Sequence, residues 1–135
     1  MKRKIVPIVL IVLFIIFLYL QYGRKMDVVN SFSTSSTNYH EENIIVVANK
    51  LYISDKEKFA ENIVNNCVEN NFKSIFFDYK MRKPNALHVT VYLSEVTKRL
   101  SLPVFTFSYI TDKNEVGLYN IIDNSENYRI RIDTE

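Results

Sequence analysis

The stretch SDKEKFAENIVNNCVEN, residues 54–70, decides how this chain folds. Ser54 and Glu57 stand in capping-box spacing, where the serine hydroxyl accepts an orphan amide three residues on and the glutamate reaches back, so a helix starts here. Its apolar positions are Phe59, Ala60, Ile63, Val64, Cys67 and Val68, which recur at the three-and-four spacing of one buried stripe. Glu61, Asn62, Asn65, Asn66 and Glu69 cover the opposite side, and Asn70 or Asn71 can adopt the left-handed conformation that stops a helix. Such a stripe needs an apolar surface to lie on.

Downstream segments supply that surface by alternation, the period of a half-buried strand. Leu87, Val89, Val91 and Leu93 face one way, with His88, Thr90, Tyr92 and Ser94 opposite. Phe105, Phe107 and Tyr109 repeat the pattern against Thr106 and Ser108, and Tyr128, Ile130 and Ile132 against Arg129, Arg131 and Asp133. Ile75, Phe77 and Tyr79 predict a further strand with Phe76 on its outer side, and residues 115–122 one more of ambiguous phase. Pro84-Asn85, residues 112–114 and residues 123–127 read as turns, and residues 94–102 leave room for a short helical turn. The order strand, helix, then consecutive strands predicts an α+β domain with one helix on a mostly antiparallel meander sheet of four to six strands. Cystatin-like and NTF2-like folds share this plan as an analogy of architecture alone, because no motif of either family, such as the Gln-x-Val-x-Gly hairpin, is present.

Upstream, residues 43–53 are β-rich, as one bent strand or two short ones. Residues 26–42 are polar, with Ser31, Ser33, Thr34, Ser35, Ser36 and Thr37 nearly consecutive, and predict a flexible tether reaching roughly 20 to 25 Å. Before the tether lies the strongest signal in the chain. Lys2, Arg3 and Lys4 precede an apolar run from Ile5 to Tyr22, and Arg24 and Lys25 follow it. At 1.5 Å per residue this run covers roughly 27 Å, enough to cross the hydrocarbon core if its basic flanks reach outward. Pro7 falls near the helix start, where a missing amide costs least, and Tyr19 and Tyr22 fall at interfacial positions. A cleaved secretory signal shares the basic start and greasy core, but small residues at a cleavage site are absent and the core is longer than usual. The division is therefore residues 1–25 as a transmembrane anchor, 26–42 as tether and 43–135 as the domain. The basic bias favours a cytoplasmic N-terminus and an extracytoplasmic domain at the cell membrane.

Composition narrows the function classes. The 135 residues carry +2 overall, but residues 26–135 hold twelve Lys/Arg against fifteen Asp/Glu, which disfavours nucleic acid as a partner. One cysteine excludes a disulfide scaffold, and two glycines leave no phosphate-cradling loop. His40, Cys67 and His88 are the candidates for nucleophilic chemistry. Cys67 belongs to the buried stripe, His88 to the outer face of a strand and His40 to the tether, so no catalytic, cofactor or metal set is expected. Asp112, Glu115, Asp123 and Glu126 lie in turns without calcium-loop spacing.

The outer face of the sheet holds more interest. Phe76, His88, Thr90, Tyr92, Thr106, Ser108, Arg129 and Arg131 form the mix of aromatic, hydroxyl and arginine side chains that partner surfaces favour. The expectation is a non-enzymatic interaction or accessory domain, anchored through Ile5 to Tyr22 and engaging a protein. Asn-, Ile- and Lys-rich usage points to a bacterial envelope as its setting. The alternative is a small-ligand-binding or enzymatic NTF2-like domain with Asp78 or His88 lining a pocket between helix and sheet.

Overall fold

The computed structural model describes residues 2–112 and 117–133, which form an α+β chain with one five-stranded mixed sheet. Helix α1 (Lys2–Tyr22) is followed by β1 (Asp27–Ser36), β2 (Tyr39–Val47), α2 (Lys56–Glu69), β3 (Ala86–Tyr92), the short α3 (Glu95–Arg99), β4 (Phe105–Thr111) and, after a 3-10 turn at Ser125–Asn127, β5 (Tyr128–Ile132). The strands lie in sequence order. β1–β2, β3–β4 and β4–β5 pair antiparallel, whereas β2 and β3 run parallel. This departs from the expected meander for a topological reason: parallel neighbours need a crossover, and α2 is that crossover.

α2 closes one face of the sheet. Phe59, Ala60, Ile63, Val64 and Cys67 are buried against Ile44 and Val46 of β2, Leu87, Val89 and Val91 of β3, and Phe105, Phe107 and Tyr109 of β4. The cap is Asp55 rather than Ser54: its Oδ1 accepts from the Lys58 amide at 3.0 Å. At the other end Asn70 takes the left-handed conformation at φ 61°.

Asn70 also explains why residues 74–80 are not a strand. Its side-chain amide accepts from Phe77 N at 2.8 Å and donates to Phe77 O at 2.7 Å, doing for this backbone what a neighbouring strand would do. The Tyr79 hydroxyl then donates to Cys67 O at 2.6 Å, and the Phe77 and Tyr79 rings stack with centroids 5.8 Å apart. Alternation here reports packing against the end of α2, not a ladder. Of the strand expected over 115–122, residues 115 and 116 lie outside the described residues, as do 113 and 114 of the expected turn, and 117–118 and 121–123 form turns.

The segment expected as a tether is a hairpin. β1 and β2 pair along their whole length, from Asp27↔Val47 to Ser36↔Tyr39, with a bulge between Val28 and Asn30. Within β1 only Val28 is buried, so its polar composition resembles disorder. The burial that fixes the register is carried by Ile44 and Val46 on the partner strand.

α1 stands apart from this core. It is long and apolar enough to cross a membrane, and its side chains from Ile5 to Tyr19 are exposed along their length. Its last turn, however, is fastened to the domain. Gln21 is buried; its Oε1 accepts from Leu51 N at 2.8 Å and Tyr52 N at 3.2 Å, and its Nε2 donates to Tyr52 O at 2.9 Å. Lys50 Nζ donates to Gln21 O at 2.9 Å and lies over the Tyr22 ring, while Asn49 Nδ2 reaches Lys25 O at 2.9 Å.

Two outcomes check this architecture. Ile63→Ala lowers unfolding free energy by about 2 to 5 kcal/mol in a urea titration, against less than about 0.5 kcal/mol for the exposed Asn62→Ala. Amide exchange shows protected β1 and early β2 amides; exchange at free-chain rates would restore the tether.

Candidate functional site

The sheet face opposite α2 is open, and cross-strand register decides what it displays. Phe32, Asn43, His88, Ser108 and Arg131 form one row, and Asn30, Ile45, Thr90 and Thr106 the next. Ile110 pairs with Arg129, and Tyr92 pairs with Val47. The structure therefore brings His88, Thr90, Tyr92, Thr106, Ser108, Arg129 and Arg131 onto one face. Phe76 does not belong with them. It is 80% exposed on the irregular segment after α2, because the strand that would have carried it does not form.

His88 is the centre of the polar row. Its Nδ1 lies 2.9 Å from Ser108 Oγ, and its Nε2 lies 3.4 Å from Glu41 Oε2. Phe32, Asn43, Ile45, Thr90 and Thr106 surround it in an open depression of about 350 Å³. Thr106 Oγ1 donates to Asp133 Oδ2 at 2.8 Å, and Arg129 Nη2 donates to Asp112 Oδ1 at 2.6 Å on the rim. The pattern carboxylate, imidazole, hydroxyl is the order used to activate a serine. Ser108 and His88 lie mid-strand, where their backbone amides serve the ladder, and Arg131 is the cation paired across from Ser108.

A second histidine network lies on the covered face, at the far end of the β1–β2 hairpin. His40 is buried; its Nδ1 meets Ser35 Oγ at 2.7 Å and its Nε2 meets Glu42 Oε1 at 2.9 Å, while Ser33 Oγ donates to the same carboxylate oxygen at 2.7 Å. The His40 backbone is held by Asn85, whose Oδ1 accepts from His40 N at 2.8 Å. Reading residues 26–42 as a tether hid this cluster. The available signal was the alternation Ser33, Ser35 against His40, Glu42, which only a paired hairpin makes meaningful. With every ring nitrogen partnered, the cluster fastens the hairpin.

Cys67 lies near this carboxylate. Burial first, and the Glu42 charge second, push its thiol well above the usual range, the opposite of what activates a cysteine. Burial likewise raises Tyr79, and burial with a hydrogen bond to Glu41 pushes Tyr39 up to about 12. Among the described residues no group of three or more His, Cys, Asp or Glu is placed to hold a metal ion. Comparison of the chain with protein-family models, with curated proteins and with solved structures finds no match.

The two histidines separate by mutation. His40→Ala takes one of two partners from the Glu42 carboxylate, leaves Ser35 Oγ without its own, and costs about 1 to 3 kcal/mol, whereas His88→Ala, at a half-exposed site, shifts stability by less than about 1 kcal/mol, both read from chemical denaturation. Cys67 resists iodoacetamide at mildly alkaline pH in the folded chain, because the raised thiol keeps the thiolate scarce, and reacts once urea unfolds it; fast labelling of the native protein would contradict the burial.

Proposed function

We propose that this chain is a single-pass, membrane-anchored interaction domain, held on the outer side of a bacterial cell membrane, whose open sheet face receives a protein partner. The observation that carries the reading is the contrast between the two apolar surfaces. The stripe of α2 is covered by the sheet, and the apolar run of α1 is covered by none of the described residues. A soluble protein rarely leaves so continuous an apolar surface exposed, and a lipid bilayer is the environment that removes the cost. The basic residues Lys2, Arg3 and Lys4 before the run support a cytoplasmic N-terminus.

The open face supports the second half of the reading. Its rows combine the exposed Phe32 and the arginines of β5 with the hydroxyls of Thr90, Thr106 and Ser108, a surface able to exchange water for partner hydrogen bonds. A pocketed enzyme would have to lie off the centre of the helix–sheet contact, where Ile63, Val46, Val91 and Phe107 are at most 1% exposed, and on the β5 side, where Glu57 and Glu61 of α2 face Tyr109, Tyr128 and Ile130 across an open depression of about 300 Å³.

A photocrosslinking phenylalanine analogue at Thr90, activated in intact membranes, yields one stoichiometric protein adduct, and the same analogue at Glu61 on the outer side of α2 does not. Equal, diffuse labelling from both positions would overturn the partner face. External protease removes the domain from sealed cells; protection of the domain would reverse the orientation.

A further inference from the structure

The end of the domain nearest α1 carries an apolar surface that neither the core nor the open sheet face accounts for. Three stretches meet there. Gln21 binds the backbone of Leu51 and Tyr52. Ala48 N donates to Tyr92 O at 2.8 Å and Lys50 N to Leu93 O at 3.2 Å, which sets the 48–52 loop beside the exit of β3. The chain then makes α3 and returns into β4 through Val104 N, which donates to Val91 O at 2.8 Å. Residues 49–52 and 93–103 are thus neighbours at one end of the sheet, the end from which α1 projects.

Both stretches expose large apolar side chains. Leu51 and Tyr52 are 42% and 45% exposed, and Val96, Leu100 and Leu102 are 64%, 62% and 59% exposed. Val96 and Leu100 are four residues apart, on one side of the α3 turn. Cations accompany them: Arg24 and Lys25 after α1, Lys50 in the loop, and Lys98 and Arg99 in the last turn of α3, with Glu95 the acid of its first turn. The opposite end of the sheet lies about 33 Å away along the ten residues of β1, where Arg82 Nη2 donates to Ser36 O.

We propose that this end is a second membrane contact, at which Leu51, Tyr52, Val96, Leu100 and Leu102 enter the interfacial layer of the bilayer that α1 crosses, with Lys50, Lys98 and Arg99 among the lipid headgroups. The inference rests on the anchor reading, and the level of the contact follows from it. If the apolar run from Ile5 to Leu20 occupies the hydrocarbon, Gln21 and Tyr22 stand at the headgroups, and the loop bonded to Gln21 stands there too. Apolar side chains with a basic rim are the composition that this layer selects. The domain then lies on the membrane in one orientation instead of swinging above it.

The test uses the full chain in vesicles of phosphatidylcholine and phosphatidylglycerol, with bimane attached to single introduced cysteines; Cys67 is buried and stays in place. Leu51→Cys and Leu100→Cys are read against Met81→Cys, an exposed position next to Arg82 at the far end, and Val12→Cys in the middle of α1. A headgroup-level nitroxide lipid quenches bimane at positions 51 and 100 several-fold more than at 81, while an acyl-chain nitroxide quenches position 12. Quenching at position 12 with positions 51 and 100 no different from 81 would overturn the second contact and leave the anchor standing. No quenching at position 12 would remove the anchor and this inference together. Were one cysteine to disturb folding, the other still decides.

Discussion

The closure of the α2 stripe onto the sheet is the contact on which the rest depends. It is a requirement of water avoidance, and it dictates topology. A helix that leaves β2 and must lie across the sheet's inner face returns the chain to the end where β2 began, so β3 enters parallel to β2. Once that crossover is in place, β4 and β5 follow as an antiparallel extension. Their inner residues Phe105, Phe107, Tyr109 and Tyr128 complete the layer under α2. The same closure leaves the other face with one side chain in two pointing to solvent, and it is there that the hydroxyls and His88 gather.

What was legible in the residues followed the strength of the periodic signal. The α2 stripe and the alternations of β3, β4 and β5 each state a face, and each face lies where its pattern places it. Two of the failures turn on polar side chains whose partners the sequence does not mark. Asn70 pairs with Phe77 as a strand would, so alternation through Ile75, Phe77 and Tyr79 imitates β-structure. Ser33 and Ser35 reach Glu42 and His40 across the hairpin, so a run of small polar residues that reads as disorder is held by the strand it pairs with. Such contacts join residues far apart or across a turn, and local spacing carries no trace of them.

The candidate site divides along the same line. Register alone sets His88 beside Ser108 and Thr90 beside Thr106, because strand phase determines which residues share a face. Phe76 depended on a strand that does not form and left the group with it. Gln21 was invisible for a different reason. A lone amide at the end of a greasy helix reads as a flank, and only the folded loop 50–52 turns it into a contact.

That amide sets the character of the joint between α1 and the domain. Its three hydrogen bonds go to backbone groups and involve no titrating side chain. The latch therefore keeps its grip through acidification and through changes in salt, conditions that loosen ion pairs. A coupling of that kind is stiff in twist. Rotation of the rod about its long axis becomes rotation of the attached body, and the azimuth at which the sheet looks out is chosen by whatever grips the rod.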